Sequence, residues 1–532
     1  MGYRLLVPTR YEGGHYRLVL PAKPEHERDI HSDPSHGIPP TIVPHGDGGV
    51  LEVNGQPWPN GEPIRFDPRR GLELSLRPPA AGWTVDGALA VIPFGDRFLT
   101  HAHVEVVPEL SQRPRGARVV IVLDRSRSLT EELADGARAA ARAYLSHLPD
   151  AHVEVVTYAR EATRRYGRFV SSAEARRDLA SWRPQRGNGS EIGDALSLAR
   201  QILDGGASGH PRRIVVLTDG KIRHDLPVDA LSEDLGDGAP LTQIVQLSDP
   251  MGRHQPRLTR DDGTDWMAVA ELSGGLAWNG TFPVATETPP DLRPAIERLV
   301  RPTVLASFEL KSAPFVDASD LFVTSELGEG EGISVTAMLN EPLPWLTAVG
   351  KRWHDEVSVT LPVHDAEAAV WAALAFGNDG LPLDDDAVAR LALARRGGAV
   401  TELTSYAVGR TAEPPPLERV GSGRFGRAHG LSTRCGIGRG MSLSMEGREW
   451  LENALRQALY ACGAQEHRAT VAFETIGREI AQVDGATVTS EGAPASLASC
   501  LTRAAWALEL PVKHFENRAS RRWSVEVRAI LP

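Results

Sequence analysis

The sequence predicts a multidomain α/β plus β protein: a doubly wound α/β domain in mid-chain, β-rich segments on either side, and a small α+β module at the end. Three observations carry this. Strand-like apolar runs at 119–123, 153–156, 214–217 and 244–247 alternate with helical segments around 129–146, 191–204 and 265–273. Near-continuous apolar strands separated by helices imply a parallel sheet covered on both faces. Second, residues up to about 114 and from 303 to 362 carry short alternating runs with turn residues between them, the signature of half-buried strands. Third, residues 445–532 read helix–strand–strand–helix–strand, with helices at 448–461 and 495–508 and strands near 470–473, 486–489 and 523–527.

Composition sets the outer bounds. The chain has 532 residues, 41% hydrophobic and 24% charged, room for three or four domains at roughly 150 residues each. Lys plus Arg number 58 against 69 Asp plus Glu, a formal net charge of −11. Phosphate binding relies on a basic footprint, so no nucleic-acid partner is expected. No stretch approaches the roughly 18–20 apolar residues of a membrane span. The opening residues 1–8 lack the apolar region of a secretory signal, so the chain as written is expected to be cytoplasmic.

Cysteines occur at Cys435, Cys462 and Cys500, which excludes a disulfide scaffold and a zinc cluster. Cys462 ends one predicted helix and Cys500 lies inside another. A disulfide and a pair of buried thiols both remain open, the former tied to export. Residues 363–410 include a helical segment. Residues 411–444, with Pro414–Pro416 and the arginines Arg419, Arg424, Arg427, Arg434 and Arg439, read as a solvated linker. No GxSxG, phosphate-loop or HExxH motif occurs, so no enzymatic activity is expected. His101 and His103 share one strand face, but without a third clustered ligand they read as packing or surface residues.

The chemistry concentrates after the first buried strand, at Asp124-Arg125-Ser126-Arg127-Ser128. Ligands of open α/β sheets bind at the carboxyl ends of strands, at a topological switch point. A carboxylate followed at alternate positions by two hydroxyls offers hard oxygen donors there, the kind Mg²⁺ prefers. One loop supplies too few ligands, and two others qualify. Thr218-Asp219-Gly220 ends the strand 214–217, and the Gly-rich loop Gly187-Asn188-Gly189-Ser190 leads into a helix.

DxSxS, a hydroxyl in a Gly-rich loop, then TDG after a strand, in this order, resembles the metal-ion-dependent adhesion site of von Willebrand factor A (VWA) domains. The resemblance implies a VWA domain over 115–302, with Asp124, Ser126, Ser128, Ser190 and Asp219 as the metal set. Ser190 stands where Thr is usual. The implied cofactor is Mg²⁺, with Mn²⁺ or Ca²⁺ as alternatives. The implied partner is a protein whose Asp or Glu carboxylate completes the coordination. Arg125 and Arg127 either favour that acidic partner or pair with Glu131 and Glu132.

The flanks extend the likeness. The segments at 369–375, 388–392 and 401–406 resemble the region after VWA in bacterial inter-alpha-trypsin-inhibitor heavy-chain-like proteins. A VIT domain precedes VWA in that family, and residues 10–21 resemble its tail, so 1–39 is expected to be a VIT remnant. Either that domain has degenerated here or the true start lies upstream of Met1, in which case a signal peptide there would make the protein periplasmic or secreted. Residues 40–114 and 303–362 are expected to form the two halves of one β-sandwich into which the VWA domain is inserted. Residues 445–532 resemble the C-terminal domain of myxobacterial gliding and TonB-like proteins. Together these features predict a metal-dependent adhesion or protein-binding protein. The alternative is a VWA regulatory subunit of a machine that works with an AAA+ ATPase or protease.

Overall fold

The computed structural model describes residues 9–20, 41–43, 49–65, 67, 70–79, 82–94, 96–205, 209–222, 230–236, 238–248, 257–282, 292–312, 324–364, 442–464, 467–490, 492–494, 496–515 and 520–529. Nearly all of the helical segment expected at 363–410, most of the linker at 411–444, and Cys435 lie outside these residues. The chain divides into two compact units, one of 1–112 with 302–427 and one of 113–301 with 428–532.

The second unit holds an eight-stranded sheet built around Arg118–Asp124. Parallel neighbours His152–Tyr158 and Arg212–Thr218 flank that strand, and Leu241–Leu247 and Ala277–Thr281 continue the parallel run. Both rims are antiparallel: Ala162–Arg164 and Val170–Ser171 at one side, Arg257–Arg260 at the other. The expected all-parallel sheet is therefore mixed, because short hairpin returns close its edges. Val119, Val120, Ile121 and Val122 are wholly buried, which explains why no polar alternation interrupts the run.

The helix Glu131–Ser146 starts where the Thr130 hydroxyl accepts a hydrogen bond from the Leu133 amide at 3.2 Å. Glu131 and Glu132 sit in its first turn, where acidic groups suit the helix dipole. Its buried residues include Gly136, Ala137, Ala140, Ala141 and Ala143, small side chains that suit close packing. Chain order places Arg118–Asp124 between strands that leave it in opposite directions, so the switch point falls between its carboxyl end and that of Arg212–Thr218.

The same unit contains a three-stranded antiparallel sheet, Glu479–Val488, Arg468–Ile476 and Ser520–Arg528 in that order. The helices Ser442–Ala461 and Ser496–Trp506 contribute Leu451, Leu455, Leu459, Leu497 and Leu501 to its core, with Val471, Phe473 and Val525 from the strands. A Cys462–Cys500 disulfide joins the two helices, with the Cα atoms 6.0 Å apart.

In the first unit, Gly332–Leu339, Arg97–Val106 and Val85–Phe94 make one sheet. Glu326–Gly328, Val304–Ser312, Leu346–Arg352 and Asp355–Leu361 make another, and both contribute to one hydrophobic core. Residues on either side of the central domain in sequence thus share a sheet. The boundaries expected near the N-terminus are displaced. His15–Leu20 pairs with Leu72–Arg77 in a five-stranded sheet that also takes in Val50–Val53 and Gln56–Trp58. That sheet, with Ile64, encloses a small core of its own. A division at 39/40 therefore cuts through one sheet, and residues 50–77 belong with the opening strands. His101 and His103 each hydrogen-bond a cross-strand hydroxyl, Thr336 and Ser334, at 2.8 Å, the packing role the sequence favours.

Candidate metal centre

Asp124 is the last residue of the central strand and is buried. Its Oδ1 accepts the Ser126 amide at 2.8 Å, which folds the loop back and brings the Ser126 and Ser128 hydroxyls within 2.8 Å of each other. Its Oδ2 accepts from the Thr218 hydroxyl at 2.8 Å and the Tyr158 hydroxyl at 3.2 Å. Asp124 is thus held by groups from both neighbouring strands. Burial, followed by repulsion from Asp219, pushes its carboxyl up to about 6, against the hydrogen bonds from Ser126 and Thr218.

The Gly-rich loop is tied to the first loop through its backbone. The Gly187 amide donates to the Arg125 carbonyl at 3.1 Å, and Ser126 and Gly187 form an isolated bridge. Gly189 needs its freedom: its φ is +96°, and a Cβ there would lie 2.8 Å from the Arg160 Cα. The following Ser190 is buried at the start of the helix Ile192–Asp204.

Asp219 closes the set. Its side chain is 2% exposed and accepts from the Lys221 amide at 3.1 Å and the Lys221 ammonium at 2.8 Å. The same ammonium reaches the Ser128 carbonyl at 3.4 Å. Three loops therefore deliver the expected residues to one edge of the sheet. Tyr158, Thr218 and Lys221 support them; their sequence signal was only adjacency to the loops.

Sequence reasoning missed a carboxylate altogether. Glu479 follows the two-residue turn Gly477-Arg478 of the C-terminal hairpin and is fully buried. Its Oε1 accepts from the Ser190 hydroxyl at 2.8 Å and its Oε2 from the Ser128 amide at 3.2 Å. Burial, then the proximity of Asp124, pushes its carboxyl up to about 8. Nothing in Ile476-Gly477-Arg478-Glu479-Ile480 marks this Glu as buried.

Neighbouring contacts run the same way. The Asn188 side chain accepts from the Ile480 amide at 3.2 Å and donates to the Trp506 and Leu508 carbonyls at 2.6 and 2.9 Å. Arg127, for which the sequence offers an acidic partner or Glu131 and Glu132, pairs with Glu509 at 2.6 Å. Arg125 donates to the Gln185 carbonyl at 3.1 Å, and Arg160 lies over the Trp506 ring, 4.8 Å from its centroid.

Among the described residues no trio of His, Cys, Asp or Glu is arranged as a complete metal cage. The donor set here is mixed, with hydroxyls alongside the carboxylates. Buried Asp124, Asp219 and Glu479 bring three carboxyl groups together beside the loop that carries the Ser126 and Ser128 hydroxyls. Lys221 contacts this group through Asp219, and Arg186 feels Asp124 at longer range. An all-oxygen, net-acidic set of this kind suits a hard divalent cation.

Residues 119–221 match the family model described as the von Willebrand factor type A domain. The chain carries a VWA domain. Solved structures similar to it include an aerotolerance-related membrane protein from Bacteroides fragilis, 20% identical, covering 35% of this chain and 98% of that one, TM-score 0.26. A von Willebrand factor type A protein from Catenulispora acidiphila is 16% identical over 59% of this chain and 86% of its own, TM-score 0.28. The ArnB paralog VWA2 from Sulfolobus acidocaldarius is 14% identical over 60% and 92%, TM-score 0.23. A comparison with curated proteins found no match. VWA domains serve protein interaction or adhesion in general and often bind a divalent metal. Among the described residues no helix is long and apolar enough to cross a membrane.

Proposed function

We propose that this chain is a non-enzymatic, metal-dependent protein-binding or adhesion protein whose VWA site captures a carboxylate. The observation that carries the reading is the convergence of three loops at the switch point of the sheet. Asp124, Ser126 and Ser128 come from one, Ser190 from the second and Asp219 from the third. When bound there, Mg²⁺ or Mn²⁺ would supply a Lewis-acidic position for an Asp or Glu oxygen. The protein's part is orientation. Thr218 and Tyr158 fix the Asp124 carboxylate, while the Ser126–Ser128 contact keeps both hydroxyls on one side of the loop.

Two finer readings belong here. We infer that strands 85–106 and 304–361 make a β-sandwich into whose chain the VWA domain is inserted; their common core supports this. The VIT likeness rests on residues 10–21, and the gliding-type likeness on Ala458-Leu459-Tyr460-Ala461-Cys462 and Ala498-Ser499-Cys500-Leu501. The Cys462–Cys500 disulfide favours an oxidising compartment, hence an exported protein.

The test is Mn²⁺ binding to the full chain, followed by electron paramagnetic resonance, for wild type and Asp124→Ala. The reading expects a tight site in wild type that weakens at least tenfold in the variant. Equal binding by both proteins would overturn it.

A further inference from the structure

We propose that Glu479 is the carboxylate that the VWA site holds in this chain, which makes the C-terminal domain a tethered internal ligand. The inference rests on the metal-site reading above and names the occupant of that site.

The geometry is that of a delivered ligand. Hairpin tips ordinarily lie in water, yet Ile476, Glu479, Ile480 and Ala481 are all buried. The two Glu479 oxygens reach two of the three metal-site loops, through the Ser190 hydroxyl and the Ser128 amide. Both donors belong to residues the sequence assigns to the metal set. A carboxylate presented there by an outside protein would need the place that Glu479 occupies.

The surrounding contacts hold the domain in this position. Asn188, one residue from the turn glycine Gly189, clamps the Ile480 amide and the Trp506 and Leu508 carbonyls. Arg127, in the middle of the DxSxS loop, binds the Leu508 carbonyl and the Glu509 carboxylate. Metal-site loops and docking contacts are therefore made by the same residues. Loss of the internal ligand and a change at the site are one event, and an external acidic partner must compete with a ligand already attached to the chain.

A purely structural Glu479, neutral and hydrogen-bonded to Ser190, gives a different result when replaced by its amide. Gln keeps the shape and an accepting oxygen but is a far poorer ligand for a hard cation. Mn²⁺ affinity and hydrogen exchange at the Ile480 amide are therefore to be measured on full-length wild type, Glu479→Gln and Asp124→Ala. Glu479→Gln is expected to weaken Mn²⁺ at least tenfold. Mn²⁺ is expected to slow exchange at Ile480 in wild type and to leave Glu479→Gln unchanged. Melting curves in chelator, expected to be alike for wild type and Glu479→Gln, separate loss of a ligand from loss of folding.

The outcomes are distinct. If Asp124→Ala loses Mn²⁺ but Glu479→Gln binds it as wild type does, the internal-ligand proposal is wrong and the metal site stands. If wild type itself binds no Mn²⁺, the metal reading fails and the proposal with it. A Glu479→Gln protein that melts much earlier in chelator makes Glu479 a structural hydrogen-bonding residue, which also overturns the proposal.

Discussion

Of the hairpins that close with two-residue turns, two do opposite things. Asn54-Gly55 joins Val50–Val53 to Gln56–Trp58, with positive φ at both turn residues and every residue from 54 to 57 exposed. Gly477-Arg478 joins Arg468–Ile476 to Glu479–Val488, with positive φ at the glycine and a buried residue on each side of the turn. Both are tight turns whose twist suits a hairpin. In the first, the residue after the turn, Gln56, faces water; in the second, that residue is Glu479 in the VWA site. The same backbone device ends a strand in one place and delivers a ligand in the other. The lesson is that the turn fixes where a side chain is presented, and the surface opposite it decides whether presentation becomes binding.

The comparison is broken most severely by placing a lysine after each turn. Glu479→Lys puts an ammonium into a fully buried position and is expected to cost roughly 3–5 kcal/mol in denaturant unfolding, or to undock the domain. Gln56→Lys, at the matching exposed position, should stay within about 0.5 kcal/mol. Next in size is the metal response: at one hundred times the dissociation constant, ligand binding stabilises a fold by about 2.7 kcal/mol. Calorimetry should find a gain of that order in wild type and none in Asp124→Ala. Asn188→Ala removes three hydrogen bonds to the C-terminal domain and is expected to cost about 1–3 kcal/mol, with faster exchange at Ile480.

The smallest effect lies away from both hairpins. Hydrogen bonds from Arg165, with a smaller contribution from Tyr166, hold the Asp178 carboxyl below the usual range. A depressed folded value contributes stability that is present above the unfolded value near pH ~4 and lost as pH falls through the folded one. Asp178→Asn should therefore flatten the acid limb of the stability profile by well under about 1 kcal/mol, since the pair is partly solvated.

How much of this the sequence discloses depends on locality. The central strand is legible because Val119–Leu123 is apolar on both faces, and the loops at Asp124–Ser128 and Asp219 because they directly follow a strand. The antiparallel rims of the sheet are too short to show a period: Ala162–Arg164 and Val170–Ser171 make five residues together. The N-terminal boundary escaped because pairing of 15–20 with 72–77 is a long-range contact with no local marker. Glu479 escaped for the same reason, standing 289 positions from the serine that binds it. Arg127 offered two readings, an acidic partner or the nearby Glu131 and Glu132, and it pairs with Glu509 from the far end of the sequence.

The central claim is that three loops and one hairpin make a single cation site. Crystals of the full chain grown with Mn²⁺, measured for anomalous scattering at the manganese edge, test it most directly. The expected result is one strong peak within coordination distance of the Ser126 and Ser128 hydroxyls and a Glu479 oxygen. A map with those side chains ordered and no peak among them, under saturating Mn²⁺, would contradict it.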